Sequence, residues 1–278
     1  MVRSSVWETK TLYSTSERKI NMEFTATYNT DIGIRKNTNQ DSLALRIIDS
    51  PAGKVAFGIV CDGMGGLAKG ELASKEVIMA FCKWFDETFA EMVLSDDFSV
   101  ANLRTDWGEI IQEQNRRLGR YGAMNNLMLG TTVSAILMVK DEFYIVHVGD
   151  SRIYEMSSEG VRQLTNDQTF VAREVSMGRM TPEQAKVDPR RSVLLQCVGA
   201  SKVVEPDFVK GHLKKGATYA LCSDGFRHQI SDEEMVDKIG PEACVTEEDM
   251  KYGCVYLTEV VKNRRETDNI TVAVIKTM

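Results

Sequence analysis

Three runs of aliphatic, aromatic and β-branched residues follow one another between Thr131 and Met156, where the sequence reads TTVSAILMVKDEFYIVHVGDSRIYEM. Residues of these types are typical of β-strands. The connections between the runs, at 140–141 and 149–151, are too short to contain a crossover helix. The segment therefore predicts an antiparallel meander, and it disfavours a doubly wound parallel sheet.

Similar strand-like runs occur on both sides of this segment, at Val55 to Val60, Ala217 to Cys222 and Ile270 to Lys276. Two longer segments, Glu71 to Met92 and Trp107 to Leu118, carry apolar residues at the spacing of a helix with one buried face. Both helical segments stand between blocks of strands. This order favours an α+β fold in which helices cover antiparallel sheets.

The composition is that of a folded domain. The 278 residues include 34 Lys and Arg against 40 Asp and Glu, which gives a formal charge of −6, and 43% of the residues are hydrophobic. A chain of this length forms one or two domains. Because no internal repeat or linker is recognisable, residues 22–278 are expected to form a single domain. Residues 1–21 are polar without periodicity, and we expect a loose N-terminal extension there.

Charge and hydropathy argue against two classes of partner. An acidic chain with only short basic pairs, such as Arg190-Arg191, offers no basic face for nucleic acid. No apolar run reaches the roughly 18 residues that cross a membrane, and the first residues do not look like a signal peptide. The six cysteines include no Cys-x-x-Cys pair, which is typical of buried thiols in a reducing compartment. We therefore expect a cytoplasmic protein that binds neither nucleic acid nor a membrane.

Five aspartates stand at the ends of strand-like runs, next to glycines or small polar residues. They are Asp41, Asp62, Asp150, Asp224 and Asp268. Any one of them alone indicates only a turn, since Asp caps its own backbone and Gly accepts positive φ. Five carboxylates gathered at one rim of the sheets would repel one another unless they were protonated or bound to cations. The pattern therefore predicts a cation site.

The residues around these aspartates favour a hard cation. The chain has only three histidines, none spaced as a metal ligand, and ligands that are all oxygens select Mg²⁺ or Mn²⁺ and not Zn²⁺. His147 is expected to pack within its strand. Gly63, Gly65 and Gly66 allow a tight turn after Asp62, where a carbonyl could approach an ion. A glycine-rich phosphate loop is excluded by the spacing.

Six short motifs occur in the order found in one family. They are Asn39-Gln40-Asp41, Asp62-Gly63-Met64-Gly65-Gly66, Gly130-Thr131-Thr132, Gly149-Asp150-Ser151-Arg152, Ser223-Asp224-Gly225 and Asp268-Asn269-Ile270-Thr271. In this set the chain, from about Thr30 to its end, resembles the metal-dependent serine/threonine protein phosphatases of type 2C in their compact bacterial form. The resemblance implies a β-sandwich of two antiparallel sheets flanked by helices, in four layers α-β-β-α.

The resemblance also implies a binuclear Mn²⁺ or Mg²⁺ centre and assigns its ligands. Asp62 would bridge two ions, the Gly63 carbonyl would bind one of them, and Asp224 and Asp268 would complete the shell of the other. Asp150, together with Asp224, would hold a weaker third ion. Asp41 would not bind an ion directly but would lie behind the ligands and orient water bound to the ions. A water molecule activated by the ions would then hydrolyse phosphoserine or phosphothreonine on proteins modified by a serine/threonine kinase.

Four positions depart from the family pattern. Lys36 stands where an arginine usually binds the substrate phosphate, and Arg35 lies next to it, so either residue is a candidate for that contact. Met64 replaces the histidine that can act as general acid in eukaryotic members. Gln40 replaces a common glutamate, and Gln168 replaces a frequent histidine.

Two alternatives remain open at the level of sequence. A relative that binds phosphoproteins without hydrolysing them would have the same fold, although such relatives are expected to lose the metal-binding aspartates. A hydrolase of small phosphoesters would have the same metal site and differ only in the contacts around it. Comparing activity on a phosphothreonine peptide and on sugar phosphates separates this hydrolase from a phosphoprotein phosphatase.

Overall fold

Eleven strands and eight helices are seen in the computed structural model, which describes residues 22–51, 53–65, 69–95 and 98–278. The predicted extension at 1–21 lies outside the described residues. The strands are β1 (Phe24–Asp31), β2 (Asp41–Ser50), β3 (Gly53–Gly65), β4 (Leu129–Thr131), β5 (Val133–Val139), β6 (Glu142–Val148), β7 (Arg152–Ser157), β8 (Gly160–Gln163), β9 (Asp207–His212), β10 (Thr218–Cys222) and β11 (Ile270–Thr277).

The helices lie mainly in three parts of the chain. They are α1 (Gly70–Trp84), α2 (Ala90–Leu94), α3 (Val100–Asn125), α4 (Phe170–Ser176), α5 (Pro182–Val187), α6 (Asp224–Arg227), α7 (Asp232–Ile239) and α8 (Glu247–Asn263). A π-helical turn at Phe85–Phe89 joins α1 to α2 without a break. None of the helices in the described ranges is long and apolar enough to cross a membrane.

The strands form two sheets in which every pairing between described strands is antiparallel. One sheet has the order β1-β11-β10-β7-β8, and the other has the order β2-β3-β5-β6-β9 with β4 added beside β3. Residues along β3 alternate between two cores: Phe57 and Ile59 pack against α1 and α3, whereas Ala56 and Val60 face the other sheet. On the far side, β11 packs Val272 and Val274 against the layer of α7 and α8. The predicted α+β fold with four layers is confirmed.

The predicted meander is correct for two of its three strands and wrong for the third. β5 and β6 form a hairpin in which Val139 lies opposite Glu142. β7 instead pairs with β10 and β8 in the other sheet, and β9 takes the place beside β6. A connection of three residues can turn a hairpin or lead from one sheet of a sandwich to the other, so its length alone does not distinguish the two arrangements.

The turn that carries the chain between the sheets requires glycine at 149. Gly149 has φ +105°, and a Cβ at this position would lie 2.6 Å from Cγ2 of Thr132. Gly160, the first residue of β8, has a similar φ of +111° but open space around it. The two glycines therefore share the same backbone requirement and differ only in their surroundings.

Gly149→Ala is expected to lower the free energy of unfolding by at least about 2 kcal/mol more than Gly160→Ala, because only the first substitution adds a clash in a packed region. Urea denaturation of both variants at one temperature measures the difference. Equal losses would show that the contact with Thr132 relaxes easily.

Candidate metal centre

The structure brings all five predicted aspartates to the same end of the sandwich. Asp41 is the first residue of β2 and lies directly opposite Asp62 of β3. Asp224 begins α6 after β10, Asp268 precedes β11, and Asp150 lies in the turn between the sheets. The charges of the other four carboxylates each raise the pKa of Asp62. Residues more than 200 positions apart in the chain thus share one acidic region.

Burial and mutual repulsion make this region unfavourable for negative charge. Burial, with repulsion from the other four carboxylates, raises the pKa of Asp62 well above its usual range. Burial, followed by the charges of Asp224 and Asp268, raises the pKa of Asp41 to about 7 against two hydroxyl hydrogen bonds that lower it. Burial and Asp224 likewise raise the pKa of Asp150 to about 7, although Arg227 opposes the shift. Such a group of acids is relieved by protons or by cations.

Two carboxylate oxygens in this region are buried without a hydrogen-bond partner among the described residues. Oδ2 of Asp41 accepts a hydrogen bond of 2.8 Å from the Ser223 hydroxyl, but its Oδ1 has no donor, and neither has Oδ1 of Asp224. Buried polar atoms are nearly always paired, so unpaired anionic oxygens are consistent with a site for a cation. Even so, within the described residues no three Asp, Glu, His or Cys side chains are already arranged to hold an ion. The donors and the charge are present, and the ligand shell is not preformed.

Lys36 is a cation that contacts one of these acids. Its ammonium lies 2.7 Å from Oδ1 of Asp268. Burial acts against the charge of Lys36, but the hydrogen bond to Asp268 and the charges of Asp268, Asp62 and Asp224 raise its pKa. Arg35 next to it is exposed and forms no ion pair with any other described residue. The two candidates for phosphate binding therefore differ. Lys36 is already paired with Asp268, whereas Arg35 has no ion-pair partner among the described residues.

Hydroxyl groups on the neighbouring strands fix the backbone of Asp62. Its N–H donates to the Thr132 hydroxyl at 2.9 Å, and its carbonyl accepts from the Thr131 hydroxyl at 3.0 Å. The hydroxyls of Thr132 and Ser151 lie 2.7 Å apart. The sequence motifs contain these three residues, but only the pairing of β3 with the turns beside it shows that they position Asp62.

The position of Gly63 admits no side chain. A Cβ there would lie 2.2 Å from the carbonyl oxygen of Gly70 and 2.5 Å from that of Gln40. The Gly63 N–H donates to the same Gln40 carbonyl at 3.1 Å. The backbone after Asp62 is therefore held closely between two other segments, as a main-chain ligand requires.

Asn269 ties the segment that carries Arg35 and Lys36 to β11, a role not evident from the sequence. Its side-chain oxygen accepts from the Gln40 N–H at 2.9 Å, and its Nδ2 donates to the carbonyls of Ile32 and Thr38. Every hydrogen bond of this side chain thus goes to the backbone of the 32–40 segment.

Three further residues, among them two noted in the sequence analysis, are held by neighbouring polar groups. His147 is fully buried, with its ring nitrogens at the Ser134 hydroxyl and the Asn166 carbonyl, which agrees with the packing role expected for it. Gln168 supports the turn between the sheets, since its Oε1 accepts from the Gly149 N–H at 2.8 Å. His228 lies 3.8 Å from Asp224, and burial lowers its pKa.

The sequence matches known proteins over most of its length. Residues 34–254 match the family model described as Protein phosphatase 2C. The serine/threonine phosphatase Stp of Listeria welshimeri is 31% identical over 220 residues, which are 78% of this chain and 83% of that protein. The serine/threonine protein phosphatase PstP of Mycobacterium tuberculosis is 32% identical over 211 residues, which are 75% of this chain but only 37% of PstP.

The fold is also that of a solved phosphatase. The catalytic domain of PstP, determined in complex with two manganese ions, is 28% identical and superposes with a TM-score of 0.73 over 92% of this chain and 99% of that domain. Fold, motif order and sequence similarity agree, and so the resemblance seen in the motifs is confirmed: the chain belongs to the protein phosphatase 2C family of serine/threonine protein phosphatases.

Proposed function

We propose that this phosphatase hydrolyses phosphoserine and phosphothreonine on proteins with the help of two divalent cations, Mg²⁺ or Mn²⁺, bound at the acidic region. The observation that carries the proposal is the convergence of carboxylates from distant segments with two buried oxygens left unpaired. PstP, with the same fold, was solved with two manganese ions.

The residues present fit such a pair of ions. Asp62 would contact both, the Gly63 carbonyl would bind one, and Asp224 and Asp268 would bind the other. All of these donors are oxygens, as hard cations prefer. Bound there, the cations would supply a nucleophile by lowering the pKa of a water molecule, and would offset the charge of the phosphoryl oxygens.

Asp41 is not one of these ligands and acts on the water molecule in the site. The Ser223 hydroxyl holds its Oδ2, which leaves Oδ1 free to accept a hydrogen bond from water in the site. With a pKa near 7 in the absence of cations, the carboxyl group can also take up a proton there. Asp41 therefore orients the reacting water.

Arg35 is the better candidate for the substrate phosphate. Lys36 is occupied by Asp268, whereas the exposed guanidinium of Arg35 can form two parallel hydrogen bonds to a phosphoryl group. The physiological substrates would then be phosphoproteins made by an opposing serine/threonine kinase.

Hydrolysis of a phosphothreonine peptide, measured with Mn²⁺ and with EDTA, tests the proposal, with sugar phosphates as competing substrates. We expect turnover of the peptide that is lost in EDTA. Faster turnover of sugar phosphates would contradict a protein substrate, and full activity in EDTA would contradict the metal centre.

Arg35→Gln is expected to raise KM for the peptide about tenfold, because a charge-assisted hydrogen bond contributes about 1.5 kcal/mol. Steady-state kinetics with Mn²⁺ measure the change. Arg116→Gln, which alters an exposed arginine paired with Glu113, is the matched control and should leave KM unchanged. If Lys36→Gln raised KM and Arg35→Gln did not, Lys36 would be the phosphate contact.

A further inference from the structure

Two arginines and two aspartates form a compact group beside the candidate metal centre. This group, the Arg227 network, consists of Asp150, Arg152, Asp167 and Arg227. Arg152 donates to both oxygens of Asp167 at 2.7 Å, and Arg227 lies 3.4 Å from Oδ2 of the same carboxylate. The side chains of Arg227 and Asp150 are only 9% and 7% exposed. The charges of the network balance within it.

Arg227 is directed at Asp150, one of the five predicted ligands. Its Nη2 donates to the Asp150 carbonyl at 3.0 Å and lies 3.7 Å from the carboxylate Oδ2. Its Nε is buried and has no hydrogen-bond partner among the described residues. A buried guanidinium with an unused donor beside a carboxylate serves as an internal counter-ion, and its burial keeps it from reaching a phosphoprotein.

Among the described residues, none of the other four aspartates has a buried arginine at its carboxylate. Asp268 is paired with Lys36 at 2.7 Å, but both side chains are more than a third exposed, and buried oxygens of Asp41 and Asp224 are left unpaired. Asp150 therefore differs from the other four predicted ligands in having a nearly buried arginine beside its carboxylate.

We infer that Arg227 takes the place of a third divalent cation at Asp150, so that the protein holds two ions and not three. An ion bound to Oδ2 of Asp150 would lie at most about 2.6 Å from that oxygen, and hence within about 6 Å of the Arg227 guanidinium. Repulsion at that distance is only weakly screened among nearly buried groups. This inference rests on the proposed binuclear centre and specifies its number of ions.

Calorimetric titration of the full chain with Mn²⁺ tests this inference. Wild type and Asp150→Asn are both expected to bind two ions. Arg227→Met should bind a third, weaker ion, because Asp150 is then a carboxylate without a counter-ion, and the double variant with Asp150→Asn should return to two. Arg264→Met, which changes an exposed arginine paired with Glu234, is the control and should bind two.

Three ions in the wild type, with one lost in Asp150→Asn, would overturn the inference while leaving the binuclear centre intact. A wild type that bound no ion would overturn the centre itself. If Arg227→Met does not fold, the comparison of wild type with Asp150→Asn still decides, since two ions in each support the inference. A folded Arg227→Met that bound only two ions would contradict it.

Discussion

Asp62→Asn is expected to lower the turnover of a phosphothreonine peptide in Mn²⁺ by more than about 10²-fold, because a neutral amide would not bridge the two cations of the proposed centre. The substitution tests whether the negative charge of Asp62 is needed for activity. The hydrogen bonds at Asp62 are made by its backbone, to Thr131 and Thr132, so the exchange removes charge while leaving the supports of the residue in place. Loss of activity in a folded variant therefore reports on the function of the carboxylate.

The matched control is Asp49→Asn, which changes an exposed aspartate on β2 whose side chain is 86% exposed. Its turnover should stay within about twofold of wild type, since exposed sites away from the centre contribute little. Asp268→Asn should also lose more than about 10²-fold, but it breaks the ion pair with Lys36 as well and is harder to interpret. Near-normal turnover of Asp62→Asn would show that Asp62 is not a metal ligand.

The part of the site formed by Asp62 and its neighbours could be predicted because each residue carries a local signal. An apolar strand that runs into Asp and Gly predicts where the strand ends, and Gly63 follows from the need for close backbone approach. Helix α3 was predicted only over Trp107 to Leu118. It extends to 100–125 because Ser99 caps its start and Asn126 in the left-handed region ends it.

The Arg227 network could not be predicted, because it depends on contacts between residues far apart in the chain. Asp150 and Arg227 are separated by 77 positions, and they meet only because β7 crosses to the sheet that contains β10. That crossing depends on Gly149, whose surroundings are not visible in the sequence. Sequence patterns describe single elements well, whereas the pairing of buried charges follows from how the sheets are joined.

Asp62→Asn is also expected to stabilise the cation-free protein by raising its free energy of unfolding in EDTA. Burial and four neighbouring carboxylates raise the pKa of Asp62, so the charged form of this side chain is unfavourable in the folded protein without cations. Removing that charge relieves the repulsion. The same substitution thus increases stability where it abolishes activity.

Mn²⁺ should reverse the order of stability, so that wild type becomes more stable than Asp62→Asn. A ligand that binds only the folded state stabilises it by about 2.7 kcal/mol at 100 times its dissociation constant. Wild type gains this contribution and Asp62→Asn gains little, because it lacks the bridging carboxylate. Urea denaturation at pH 7.5, in EDTA and in Mn²⁺, measures both differences, with Asp49→Asn expected to follow wild type. If Asp62→Asn were the less stable protein in EDTA, the carboxylate would contribute to folding without a cation, and repulsion would not be the force that makes this site require one.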